Sequence, residues 1–317
     1  MAIAKCGELS EQAFLSRYLA TNQPVIVAGE METWGIYQEP ALQYFATICG
    51  DEQVQVYDSL FGLIDVCSLR AYLLANKESQ DDGSLPGYVR WYAQFRDVDF
   101  VWSDAVFRMI EREWAHPSFV PKSSYCLPPS RKGQGIDVTR DAFPYKGIFI
   151  SAAGCRTRLH RDPIGTQAII CQLQGTKRVT LYSPDAASKL ECDGAFFDPM
   201  HPDKQMFPMG DHARPEGEIV LQPGEILFIP DGWYHDVLTL TASVSITWNF
   251  VHSVRAQGFI NGLQGRLTAH EASMLRYFFK GVDAGHLDEM EAGLRRALHR
   301  ANVLSGTLQK GSTEGTT

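Results

Sequence analysis

The sequence predicts a mainly β protein with helical flanks. Three observations lead there. From about residue 119 to residue 250, short runs rich in β-branched and aromatic residues recur at close intervals. Gly, Pro and Asp turns separate them, and the stretches before and after carry apolar residues near helical spacing. The expected organisation is a mostly helical region over 1–118 packing on the strands, then a strand-rich core over 119–255 with a long insertion at 184–215. A helical region over 256–309 and a disordered tail at 310–317 complete it.

In chain order, SEQAFLSRYLA (10–20) reads as a helix capped by Ser10, with Phe14, Leu15, Tyr18 and Leu19 on one face. PVIVAG (24–29) is a short strand closed by Gly29. QEPALQYFATI (38–48) is a helix with Pro40 near its start, and EQVQVYD (52–58) alternates as a strand does. SLRAYLLANKES (68–79) is helical and QDDGSLPG (80–87) is a loop. The aromatic segment YVRWYAQFRDVDF (88–100) either lines a cleft or plugs helices onto a sheet.

The core strands are YKGIFISA (145–152), TQAIICQL (166–173), KRVTLYS (177–183), GEIVLQ (217–222), EILFIP (225–230), YHDVLTL (234–240) and ASVSITWNF (242–250). Such a series calls for a barrel or a sandwich. The stretch from Pro184 to Pro215 is too long for a turn, and its Phe196, Phe197, Met200, Met206, Phe207 and Met209 imply that it folds over something. Three segments after residue 254 carry helical spacing.

The formal charge of −8, from 37 acidic and 29 basic side chains, argues against a general nucleic-acid binder, because such binding depends on neutralising phosphates. Seven cysteines without a CxxC point to a reducing compartment rather than a disulfide framework. No signal-like apolar stretch opens the chain and no run is long enough to span a bilayer, so the expectation is a cytoplasmic protein without a membrane segment.

The chemistry gathers at RLHRDPIGT (158–166). On an extended strand His160 and Asp162 share one face, roughly 7 Å apart, close enough to converge on one ion. His235, in IPDGWYHDV at the start of a later strand, is the candidate third ligand. Two imidazoles and a carboxylate form the facial set that holds non-haem iron with positions left open, and zinc with a water accepts the same set.

With both motifs in view, the chain resembles the JmjC/cupin-like branch of the Fe(II)- and 2-oxoglutarate-dependent oxygenases, most of all its lysyl-hydroxylase and tRNA-wybutosine-hydroxylase subgroups. The similarity is clearest from Tyr145 to Phe250 and includes HRDPIGTQAIICQLQGTKRV and the early QPVIVAG. It implies a double-stranded β-helix of the jelly-roll or cupin type, with Fe(II) on His160, Asp162 and His235. It implies 2-oxoglutarate held by Lys177 and Thr157, with Thr247 and Asn249 facing the pocket, and O₂ as co-reactant. The asparagine which the lysyl-hydroxylase subgroup places before the lysine falls at Ile170 here, and Tyr145 or Gln167 is expected to compensate.

Strand parity agrees for Lys177, which shares a face with Val179 and Leu181. A cation there makes sense if a dicarboxylate meets it; a rim lysine snorkelling to water is the other account. Thr247 and Asn249 share a face opposite Trp248 and Phe250, which suggests a wet interior or a solvent face. For the substrate, the aromatic segment around Tyr88, Arg90, Trp91, Tyr92 and Phe95 is expected at the cavity mouth, with the excursion from Phe196 through Phe197 to Met209. Arg156, Arg158 and Arg161 cluster beside the metal motif, either to meet an anionic substrate or as solvated flanks. The function expected is hydroxylation of an unactivated C–H in an amino acid, peptide side chain or small metabolite. N-methyl demethylation and a non-catalytic cupin-like binding protein are the alternatives. A homodimer through the C-terminal helices is the expected assembly.

Overall fold

Nearly every strand read from the core sequence recurs in the computed structural model, which describes residues 3–78, 86–93, 101–122 and 146–255. Numbered in chain order, the N-terminal strands are β1 (Ala4–Cys6), β2 (Val25–Ala28), β3 (Gln53–Tyr57), β4 (Leu63–Ser68) and β5 (Tyr88–Tyr92). The core adds β6 (Gly147–Ser151), β7 (Arg156–Arg161), β8 (Gln167–Gln174), β9 (Lys177–Tyr182), β10 (Glu191–Cys192) and β11 (Ala195–Phe196). It ends with β12 (Gly217–Leu221), β13 (Glu225–Ile229), β14 (Tyr234–Thr239) and β15 (Ser243–Phe250).

The strands form a large sheet ordered β1-β2-β13-β8-β15-β6-β5-β3-β4, a small one ordered β12-β9-β14-β7 and a separate β10-β11 pair. From β6 onward the chain crosses between them: β6, β8, β13 and β15 lie in the large sheet and β7, β9, β12 and β14 in the small one. This alternation is the double-stranded β-helix.

Both faces of the large sheet are covered, which is why EILFI of β13 is buried at every position. Its outer face carries Ile169, Cys171, Phe228, Trp248 and Phe250, packed against Phe14, Phe45 and Phe119. Phe14 meets Phe119 and Phe228 edge-on, with centroids 5.1 and 4.8 Å apart. Its inner face joins the small sheet through Ile26, Ala168, Leu227, Val179, Leu181 and Leu221.

The region 1–118 departs from the mostly helical expectation. Among its described residues are α1 (Glu11–Phe14), which runs into a π turn at Leu15–Leu19, then α2 (Gly35–Gln38), α3 (Ala41–Cys49), α4 (Leu69–Glu78) and α5 (Asp104–Met109). Ser10 caps α1, its hydroxyl accepting from the Ala13 amide at 3.2 Å. Yet the same region supplies five strands of the large sheet, so it extends the core instead of only covering it. The edge strand β4 escaped the sequence reading because Leu63, Ile64 and Val66 are all exposed and show no buried alternation.

The 184–215 excursion packs outside the small sheet. Its α6 (Ala187–Leu190) and the β10–β11 hairpin bring Leu190, Phe197 and Phe207 onto Leu159, Tyr182 and Tyr234. At the β8–β9 turn Gly175 has φ 72°, and a Cβ there would lie 2.2 Å from the Ala242 carbonyl oxygen. No helix among the described residues is long and apolar enough to cross a membrane. Tyr145, the helices expected over 256–309 and the tail at 310–317 lie outside the described residues.

Candidate metal centre

β7 and β14 run antiparallel in the small sheet, and their register sets His160 directly opposite His235. The two rings sit 4.1 Å apart, centroid to centroid. Asp162 follows the end of β7 on an extended residue before the Pro163–Gly165 turn, with its Oδ1 3.9 Å from His160 Nε2. One ligand atom from each of the three lies within 4.8 Å of the others, the spacing one ion would bridge.

Both imidazoles are set for ligation. His160 Nδ1 lies 2.8 Å from the Arg158 carbonyl and His235 Nδ1 3.3 Å from the Trp233 carbonyl. A carbonyl only accepts, so each Nδ1 carries the proton and each Nε2 keeps its lone pair for the ion. His160 and His235 are buried at 7% and 5% exposure, which shields the centre.

Thr157 and His160 are three apart, and regular alternation would put them on opposite faces. Thr157 pairs with Val237 and His160 with His235, so Arg158 and Leu159 together face the single residue Asp236. This β-bulge turns Thr157 and His160 to the same side, and both line one cavity.

The cavity lies between the sheets, with a volume of about 70 Å³. Besides the triad it is lined by Thr157, Lys177, Ile170, Thr247 and Asn249, together with Tyr88, Arg90 and Phe61 from the N-terminal region. A roomier cleft of about 450 Å³ borders α3 and α4 but has no comparable set of metal-capable groups.

Lys177 is 6% exposed, and burial pulls its pKa down to about 8, partly opposed by the Cys155 thiol. Its Nζ donates to Ser245 Oγ at 2.7 Å, and the Ser245 hydroxyl donates to Gln172 Oε1 at 3.0 Å. The Gln172 amide nitrogen is committed to the Gln174 and Gly175 carbonyls and Ser243, which fixes the direction of the chain of bonds. One ammonium proton is thus engaged and the others remain for an anion. Further donors border the same space: buried Arg156 Nη1 has no partner among the described residues, and the buried Tyr88 hydroxyl faces Thr157 across the cavity wall. Such donors, with Lys177, fit a dicarboxylate.

Phe61 belongs to the tight turn between β3 and β4 and has φ 68°, a strained conformation worth about 1–3 kcal/mol for a bulky residue. Asp58 Oδ1 holds the turn by accepting from the Leu60 and Gly62 amides at 2.7 and 2.9 Å. The Phe61 ring meets His160 edge-on at 4.8 Å.

Several expected residues lie elsewhere. Gln167 does not line the cavity; it donates to the Gly165 carbonyl and Asp231 and accepts from the His252 amide, which ties strand ends together. Arg158 pairs with Asp198 at 2.9 Å and Arg161 with Glu191 at 2.8 Å. With Arg156, bound to Asp198 and Asp236, they fasten the excursion to the small sheet instead of facing a substrate. Trp91 points into the core beneath the large sheet and Phe197 into the excursion's cluster. Tyr92 shares the cavity-facing parity of Tyr88 and Arg90 but packs on Phe149 and hydrogen-bonds Arg90 without reaching the cavity wall. In the segment around residue 90, strand parity turns Tyr88 and Arg90 to the cavity, and Phe95 lies outside the described residues.

Residues 11–256 match the family model for a cupin-like domain. The chain belongs to the JmjC/cupin-like family. It is 26% identical over 279 residues to arginine-specific demethylase JMJ20 of Arabidopsis thaliana, covering 78% of this chain and 56% of that protein. It is 24% identical to 2-oxoglutarate and iron-dependent oxygenase JMJD4 of Gallus gallus, over 84% of this chain and 64% of that one. A shorter match, 36% identical over 115 residues and 34% of either chain, is to tRNA wybutosine-synthesizing protein 5 of Danio rerio. This JmjC/cupin-like chain therefore spans 56% and 64% of the length of the first two relatives. Its His-Asp-His set matches the Fe(II) site of 2-oxoglutarate oxygenases.

Proposed function

We propose that the protein is an Fe(II)- and 2-oxoglutarate-dependent oxygenase that hydroxylates an unactivated C–H of an amino acid, a peptide side chain or a small metabolite. One observation carries this reading: His160, Asp162 and His235 converge on the wall of a cavity that also holds the buried cation Lys177. When bound, ferrous iron and 2-oxoglutarate supply the oxidising chemistry, with O₂ consumed and succinate and CO₂ released.

The chain's own residues supply binding and shelter. His160, Asp162 and His235 hold the ion from one side and leave the other side for ligands. Lys177, steadied by Ser245, meets the far carboxylate of the diacid. Thr157 and the Tyr88 hydroxyl, both on the cavity wall, would donate to it, the latter in the role expected of Tyr145 or Gln167. Thr247 and Asn249 add polar contacts, while Ala168, Ile170 and Val237 keep water from that end of the cavity.

The names of several relatives favour a second outcome at the same centre: with an N-methyl carbon presented, hydroxylation would end in demethylation. The six of seven cysteines that lie among the described residues are all free thiols, which supports a cytoplasmic setting. Pairing of two copies through 256–309 rests on the apolar spacing there, and sedimentation of the full chain checks it.

The test is anaerobic titration of Fe(II)-loaded protein with 2-oxoglutarate, which should raise a visible charge-transfer band, followed by aerobic release of succinate. His160→Ala and Asp162→Ala should lose both while staying folded by circular dichroism. Unchanged succinate release by either variant overturns the proposal, as does a preparation active with zinc and indifferent to 2-oxoglutarate.

A further inference from the structure

The cavity contains a second cation that the proposed cosubstrate does not use. Arg90, on β5, lines the same space as the metal triad. Its guanidinium carbon lies 4.3 Å from the centroid of Phe61, 5.2 Å from Phe149, 5.3 Å from Tyr92, 5.8 Å from Tyr57 and 6.0 Å from Tyr88. Nη2 donates to the Tyr92 hydroxyl, and Nε is buried without a partner. Among the described residues no carboxylate hydrogen-bonds or ion-pairs with Arg90.

A guanidinium does not shed its proton to escape burial, so the charge stays. Stacked rings ease it only in part, because they offer faces and no acceptor oxygens. Phe61, held in its strained turn, sets its ring against both His160 and Arg90, so the cation stands one ring away from a metal ligand.

Charge balance says what it waits for. Asp162 acts electrostatically on Arg90 but would be committed to the ion as a ligand, and a divalent ion, a doubly charged diacid, Asp162, Lys177 and Arg90 together would leave one positive charge uncancelled. The single positive charge of Arg90 is left over. The ring cluster that could have received a substrate cation is already filled by the protein's own arginine.

We propose that Arg90 recognises the substrate, and that the molecule oxidised carries a carboxylate or a similar monoanionic group near the attacked carbon. This rests on the oxygenase reading above. It disfavours a lysine or arginine side chain as the presented group. Arg90 binds the anion through its free N–H groups; Phe61 and Phe149 wall the remaining sides and hold the guanidinium plane.

The test uses the full chain with Zn(II) and 2-oxoglutarate, an inert and diamagnetic complex, and reads weak binding by saturation-transfer NMR. The probes are the N-acetyl amides of glutamate, glutamine and lysine, which differ at the side-chain head. The glutamate probe should bind about tenfold or more tightly than the glutamine probe, the range for a charge-assisted hydrogen bond. Arg90→Gln should remove that preference and Arg90→Lys should retain part of it. Titration calorimetry should show 2-oxoglutarate binding held within about twofold in Arg90→Gln but weakened more than about tenfold in Lys177→Ala.

Equal binding of the glutamate and glutamine probes, or preference for the lysine probe, overturns the assignment of Arg90. So does a loss of 2-oxoglutarate affinity in Arg90→Gln that equals the loss in Lys177→Ala, since Arg90 would then belong to the cosubstrate. Undiminished 2-oxoglutarate binding by Lys177→Ala would strike at the oxygenase reading instead.

Discussion

Thr157 and His160 face the same cavity although three positions separate them, because Arg158 and Leu159 share one partner residue, Asp236, on the neighbouring strand. Removing Arg158 alone would restore a regular ladder with Thr157 and His160 still on one side. Removing Arg158 and Leu159 together would turn them to opposite sides. Zinc affinity, measured by competition with a chelating dye, should stay within about tenfold in the single deletion and collapse in the double one. Equal behaviour of the two would show that the bulge does not set the face.

Lys177 is costly to bury as a cation. Its folded pKa, about 8, lies below the ordinary 10.5, so between those values the unfolded chain binds more protons and stability rises with pH. At pH 7 the penalty is fully present. Lys177→Met should therefore stabilise the unliganded protein by roughly 1–3 kcal/mol at pH 7, with the gain vanishing above pH ~10. Urea unfolding at several pH values checks this.

The same group sets the pH dependence of diacid binding. In the proposed reading the ammonium form receives the carboxylate, so affinity for 2-oxoglutarate should be level below about pH 8 and fall as pH rises beyond it. Calorimetric titrations in buffers of different ionisation enthalpy should show proton uptake only on the alkaline side.

Arg156, at 2% exposure, is shared between Asp198 and Asp236. Burial works against the charge on Asp198, but the Arg156 hydrogen bond, the Met200 amide and Arg158 together hold its pKa below the usual carboxylate value. Asp198→Ala leaves Arg156 half-paired in the interior and should cost about 3–5 kcal/mol, the scale for breaking a buried pair. The contribution is present above the unfolded carboxylate pKa and fades as pH falls through the lower folded one. Parent and variant should therefore converge in acid, as seen by thermal melting.

Gly175→Ala puts a side chain on a residue at φ 72° and against the Ala242 backbone. It should destabilise by more than about 1 kcal/mol and, because Lys177 lies two residues on, weaken 2-oxoglutarate binding as well. Melting and calorimetry report the two effects separately.

Much of this architecture was legible in the sequence where one physical rule governed. Alternation in ITWNF separated Thr247 and Asn249 from Trp248 and Phe250, and both pairs lie on the sides that parity predicts. The same rule carried two residues back would have found Ser245, the hydroxyl that steadies Lys177. It would also have chosen Tyr88 and Arg90 over Trp91 in YVRWY. The three arginines beside HRD read either as anion contacts or as solvated flanks because their partners, Asp198, Asp236 and Glu191, are 30 to 80 residues distant and no local pattern announces them. Phe61 was out of reach for another reason: a turn of Asp58 to Gly62 gives no hint that its ring lands on a histidine a hundred positions later.

Because β3 and β5 are hydrogen-bonded into the same large sheet as β6, the N-terminal third of the chain furnishes one side of the reaction chamber and the last two-thirds furnishes the other. If Arg90 recognises the substrate as proposed, selectivity and reactivity lie on separate lengths of polypeptide joined by the β5–β6 ladder. On that reading, substitutions at Phe61, Tyr88 and Arg90 would change which molecule is accepted while the metal ligands stay as they are.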